Sequence, residues 1–174
     1  MTTKALVSEE EYLHTAFEGP EPDYLAGVLM ERSMPNSWHS RTHRNLFQAL
    51  LPQYESGRLF PHSELRLRVA PGRYRVADLC AFTSDPEDAI PEEPPCLVIE
   101  IVSPDDRHHE LVEKLGEYEA AGVEFIYVAD PVFRQLSRYS HRSLIAVDAL
   151  ELPVVGLRVS SAVIFAGARP NPHA

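Results

Sequence analysis

One stretch limits the possible folds more than any other: Cys96–Ser103 (CLVIEIVS), a nearly unbroken apolar run, followed by a helical segment and a second apolar run, Glu124–Ala129 (EFIYVA). A run this continuous marks a strand covered on both faces rather than on one. The intervening segment, from about Asp106 to Ala121, ends at Gly122, a suitable helix C-cap, and the second run stops at Asp130-Pro131. Strand, crossover helix and strand form a βαβ unit, so the two strands should lie parallel in one sheet with helices packed on it.

The remaining segments extend that sheet. Ser8 and the acids after it suit a helix start over residues 8–17. Tyr24–Ser33 alternates around Gly27 and reads as a hairpin. Residues 38–54 place Leu46, Phe47, Leu50 and Leu51 at helical spacing behind Asn36 and Ser37 as caps. Leu59–Val69 and Arg75–Thr83 read as strands joined at Ala70-Pro71-Gly72. Asp85–Pro95, with four prolines and five acids, reads as an exposed loop. Gln135–Val147 resembles a further hairpin and Leu157–Phe165 a final edge element. The expectation is an α/β domain over residues 1–166, a central mixed sheet flanked by helices with hairpin additions at both ends, and a flexible tail over 167–174.

Charge and composition narrow the function classes. A chain of 174 residues with 44% hydrophobic and 24% charged residues suits one globular domain. No apolar run approaches a membrane span, and residues 1–17 lack the apolar core of a signal peptide, so a cytoplasmic location is expected. Cys80 and Cys96 lie in strand-like runs without zinc-site spacing and read as buried thiols. The formal net charge of −10 opposes phosphate binding, yet residues 32–75 hold eight arginines against two acids, which permits a local basic face. Arginines spaced along strands also make an ordinary solvated face.

Two acids stand where acids are costly. Glu100 lies within LVIEIV beside Val98 and Val102, and Asp78 lies within RVADLCAF beside Val76 and Cys80. An ionised carboxylate in such a strand needs a compensating partner. A divalent cation with oxygen ligands supplies one, and a buried arginine or lysine in a scaffold ion pair supplies another. Lys114 comes level with Glu100: the acid lies about 10 Å below the strand end, and the lysine about 12 Å back along the crossover helix. Leu111, Leu115 and Tyr118 place Lys114 near the buried side of that helix, where its ammonium could overhang the carboxylates. Pairing with Glu110 or Glu117 on the surface fits the spacing equally. His39 and His43 have a metal-binding spacing but no third ligand in view.

Asp78 followed by Glu100-Ile101-Val102 resembles the PD-(D/E)XK nuclease pattern. The block CLVIEIVSPDDR, with Glu110, Lys114, Tyr118, Gly122-Val123 and FIYVADP, is similar to the Uma-two family of restriction-endonuclease-like proteins. The likeness continues weakly through Asp23-Tyr24-Leu25-Ala26-Gly27, His39 and LPVVGLRVSSAVIF. Three positions depart from the family pattern: Ala77 replaces a proline, Val102 stands in place of the E-x-K lysine, and Asp23 replaces a glutamate. The resemblance implies a restriction-endonuclease-like fold. It also implies a Mg²⁺ (or Mn²⁺) site held by Asp78, Glu100 and the main-chain carbonyl of Ile101, with Lys114 as the catalytic lysine moved onto the helix. Asp23 and His39 would be auxiliary. The implied activity is endonucleolytic hydrolysis of nucleic acid, DNA foremost, by a homodimer. The alternative from another class is a non-catalytic nucleic-acid-binding or protein-interaction module on the same scaffold.

Overall fold

The computed structural model describes residues 6–104 and 107–167. The chain begins with α1 (Glu9–His14), capped by Ser8 Oγ, which accepts from the Glu11 N–H at 3.1 Å. Glu9, Glu10 and Glu11 in its first turn complement the helix dipole. A hairpin follows, β1 (Asp23–Leu25) and β2 (Val28–Met30), turned at Ala26-Gly27. Both turn residues have positive φ, 48° and 96°, as a two-residue hairpin with right-handed twist requires.

Helix α2 (Ser37–Glu55) starts at Asn36, whose Oδ1 accepts from the N–H groups of Trp38 and His39. Its buried stripe, His39, Thr42, Leu46, Leu50 and Gln53, follows the helical period onto the sheet. Strands β3 (Phe60–Ala70) and β4 (Arg73–Phe82) pair antiparallel. Strand β5 (Leu97–Ile101) is buried throughout and leads to α3 (His108–Ala121), closed by Gly122 at φ 101°, a conformation costly for any residue with a Cβ. The expected helix start at Asp106 lies outside the described residues. Strand β6 (Phe125–Asp130) runs parallel to β5, as the βαβ pattern requires, and β7 (Gln135–Ser140) and β8 (Ser143–Val147) form the C-terminal hairpin.

These strands form one mixed eight-stranded sheet, ordered β2-β1-β4-β5-β6-β7-β8, with β3 on the other side of β4. One face packs Leu79, Ile99 and Tyr127 against Leu46 and Leu50 of α2. The other packs Cys80, Val98 and Ile126 against Leu115 and Tyr118 of α3. Full burial of each such side chain contributes about 1.5–3 kcal/mol.

The C-terminal segment differs from the single edge element expected at 157–165. Strands β9 (Ala149–Leu152) and β10 (Leu157–Ser160) form a separate two-stranded sheet, joined by a 3-10 turn over Pro153–Val155. The chain then turns into a helical segment, α4 (Ser161–Ile164), which buries Ile164 and Phe165 under α2. Of the expected tail, Gly167 is engaged through its carbonyl by Arg41, and residues 168–174 lie outside the described residues. No helix among the described residues is long and apolar enough to cross a membrane.

Candidate active site

The site lies where the sheet forks. On the side of β4 away from β3, β1 pairs through Arg73 and Tyr74, while β5 pairs through Leu79, Cys80 and Ala81. Residues 75–78 face the gap between the two strands, and side chains complete the ladder there. Asp23 Oδ1 accepts from the Val76 N–H at 2.7 Å, and Lys114 Nζ donates to the Val76 carbonyl at 2.9 Å. The Ile101 N–H donates to Asp78 Oδ2 at 2.7 Å. Buried main-chain groups that a strand would normally satisfy are thus satisfied by the charged residues of the cleft.

Simple alternation places Asp78 on one face with Val76 and Cys80, but the structure breaks that alternation. Leu79 and Ala81 pack toward α2, whereas both Ala77 and Cys80 pack on the α3 side. Across from Asp78, the β3 register passes from Ser63↔Leu79 to Leu65↔Ala77, with Glu64 between them at φ 54°. Here Asp78 meets groups of the α2 layer. His39 Nε2 of α2 lies 3.3 Å from its Oδ2, and His43 Nε2 lies 3.2 Å from its main-chain carbonyl. That carbonyl can only accept, so His43 Nε2 carries the proton.

Glu100, on β5, is bound from α3. Lys114 Nζ donates to its Oε2 at 2.9 Å and the Tyr118 hydroxyl to its Oε1 at 2.8 Å. Lys114 therefore takes the inward of its two expected positions. Asp78, Glu100, Lys114, Asp23 and His39 line one cleft of about 340 Å³. Asp23 is committed to the scaffold, since its Oδ2 also accepts from Arg75 Nη1 at 3.0 Å.

Electrostatics separate the two acids. Burial would raise the Asp78 pKa, but the His39 hydrogen bond and the charges of Lys114 and Arg32 outweigh it and hold it at about 2. Burial pushes Glu100 up to about 7 against the pull of Lys114, and the charge of Asp78 adds to the push. Lys114 stays protonated: burial disfavours its charge, but Asp23 and Glu100 more than offset that. Burial likewise opposes the His39 cation, while Asp78 raises its pKa overall. One carboxylate firmly ionised beside another that readily takes a proton is a pattern of functional sites.

Sequence reasoning missed Arg32. Its guanidinium reaches from the segment after β2 to Asp78 Oδ1 and to Glu64. Tyr118 stood in the quoted motif, yet its hydrogen bond to Glu100 needed the helix rotation that the structure supplies. The basic stretch also resolves differently from an open basic face. Arg32, Arg66, Arg73 and Arg75 turn to acids, namely Glu64 and Asp78, Glu21, Glu113 and Glu117, and Asp23 and Glu117.

Among the described residues, no three or more His, Cys, Asp or Glu side chains form a ready-made metal centre. A cation here would draw on two carboxylates and a main-chain oxygen, all hard donors of the kind Mg²⁺ and Mn²⁺ accept. The donor chemistry fits such an ion, although the carboxylates are also engaged by the protein's own cations.

A mixed sheet flanked by helices, with acids on neighbouring strands facing one cleft, defines a restriction-endonuclease-like fold. The chain belongs to the Uma2 family, described as "Putative restriction endonuclease", whose model matches residues 9–159. Its fold is similar to that of a "putative nuclease belonging to DUF820" from Anabaena variabilis, with a TM-score of 0.81 and 19% identity, covering 92% of this chain and 98% of that one. No curated protein matches the sequence.

Proposed function

We propose that the chain is a Mg²⁺- or Mn²⁺-dependent endonuclease that hydrolyses phosphodiester bonds in nucleic acid, with DNA the favoured substrate. The observation that carries this reading is the joint placement of Asp78, Glu100 and Lys114 at one cleft, from two adjacent strands and the crossover helix. Asp78, Glu100 and the Ile101 carbonyl would hold the ion. A divalent cation supplies an acidified water and neutralises charge building on the phosphate. Lys114, fixed by the Val76 carbonyl and Glu100, brings its ammonium to the phosphate and stabilises the charge that develops there. Tyr118 orients Glu100, and His39 holds the far oxygen of Asp78 and is placed to move a proton. Two copies related by a two-fold would supply one cleft per strand of a duplex.

A second reading has an observation of its own. All four oxygens of Asp78 and Glu100 already have protein partners, so the cleft is electrostatically complete as a non-catalytic module would be. The experiment is a cleavage assay with duplex, single-stranded and branched DNA and with RNA, run with Mg²⁺, Mn²⁺, Ca²⁺ or chelator. The nuclease reading expects turnover with Mg²⁺ or Mn²⁺, none with Ca²⁺, and none from Glu100→Gln. Cleavage that survives Glu100→Gln, or no cleavage of any substrate, refutes it.

A further inference from the structure

Arg32 has no role in the mechanism above, yet it holds a central place in the cleft. It leaves residues 31–36, which carry no regular structure between β2 and α2, and its side chain is 13% exposed. One terminal nitrogen binds Asp78 Oδ1 and the other binds Glu64 Oε2. These two anchors are unlike: the Asp78 side chain is 6% exposed, whereas that of Glu64 is 48% exposed. Glu64 also has a left-handed backbone, φ 54°, which a glutamate seldom adopts. Strained positions of this kind concentrate at ligand clamps and switches.

The neighbouring cations are held differently. Lys114 closes the Val76 carbonyl and Glu100, and Arg75 joins Asp23 to Glu117, so either would orphan buried groups by moving. Arg32 can give up Asp78 by side-chain rotation and keep Glu64, its half-exposed second acid.

Resting on the reading of the cleft as an ion-holding phosphodiesterase site, we propose that Arg32 is a further substrate-binding residue. It competes with the divalent cation for Asp78 Oδ1, and when the cation takes that oxygen it presents its guanidinium to the substrate phosphate, with Glu64 as its remaining anchor. Two cations against one carboxylate oxygen repel, so ion uptake and the Arg32–Asp78 contact exclude each other. A guanidinium released in this way has the planar fork that matches two oxygens of a phosphate. In a chain of net charge −10, a cation exposed by metal loading ties nucleic-acid binding to ion binding.

The test uses the full chain as wild type, Arg32→Met and Arg32→Lys, with Mn²⁺ titrated by calorimetry and binding of a fluorescent DNA duplex and single strand measured in Ca²⁺. Arg32→Met should bind Mn²⁺ about tenfold more tightly, as expected from removing an adjacent like charge. It should also show a larger Mn²⁺-induced rise in Tm and about 10–100-fold weaker DNA binding. Arg32→Lys keeps the charge and carries the test if Arg32→Met does not fold; its Mn²⁺ affinity should stay near wild type while DNA binding weakens. Equal or weaker Mn²⁺ binding by Arg32→Met overturns the inference, as does full DNA affinity in either variant. If wild type takes up Mn²⁺ in a manner abolished by Glu100→Gln and these Arg32 effects are missing, the inference fails alone. If folded wild type takes up no Mn²⁺, the reading of the cleft fails with it.

Discussion

Removing the Lys114 ammonium should cost the fold as well as the chemistry, and the structure indicates how much. Lys114 donates to Glu100 Oε2 and to the Val76 carbonyl, both at 2.9 Å and both buried. Lys114→Ala leaves Glu100 with Tyr118 as its remaining hydrogen-bond donor and leaves the Val76 carbonyl unpaired on the fork side. Breaking a buried ion pair from one side costs about 3–5 kcal/mol, a large share of the roughly 5–15 kcal/mol that holds a domain folded. Urea unfolding in the presence of chelator should therefore show a much lower midpoint with unchanged slope. The Glu100→Gln/Lys114→Met double variant removes the pair as a unit. It should lose less than the two single variants together, by about 1–3 kcal/mol. Strict additivity across that cycle would refute the argument that the two charges are retained as a pair. In the same proteins, Lys114→Ala should still bind the metal yet cleave about 10²–10³-fold more slowly, as loss of one transition-state contact does.

Two further outcomes follow from the geometry. Tyr118→Phe removes the 2.8 Å donor to Glu100 Oε1 while preserving the ring that packs with Leu115, so it should cost about 1–3 kcal/mol in unfolding. Its slower cleavage should arise without a change of substrate KM, which steady-state kinetics resolves. Light scattering should report a particle of twice 19.6 kDa if two clefts act on one duplex, and a monomer at all concentrations would remove the dimer from the proposal.

The sequence was most legible where residue type and position conflict. Glu100 in LVIEIV and Asp78 in RVADLCAF announced themselves because apolar strands do not carry bare acids, while matching rise along a strand and a helix brought Lys114 level with Glu100 without deciding between the cleft and the surface. The fork between β1 and β5 was not legible: local pattern defines strands but not where neighbours diverge, and the groups that fill the gap come from Asp23 and Lys114. Arg32 was hidden for the same reason, since its partners lie 32 and 46 residues away and nothing near it is periodic. The break in side-chain alternation beside Asp78 lies opposite Glu64 at φ 54°, a backbone state that no residue preference signals. At the C-terminus, four-residue strands are too short to show a period, so β9 went unread and the element expected at 157–165 ran β10 and α4 together.

The central claim is that Asp78 and Glu100 jointly hold a divalent cation beside Lys114. Crystals grown with Mn²⁺ and measured for anomalous scattering test it most directly. The account predicts an anomalous peak in the cleft about 2.0–2.3 Å from oxygens of Asp78, Glu100 and the Ile101 main chain, with Arg32 withdrawn from Asp78. A well-folded protein with no Mn²⁺ peak in this cleft, or with the ion bound elsewhere and the Asp78–Arg32 and Glu100–Lys114 pairs intact, would contradict it.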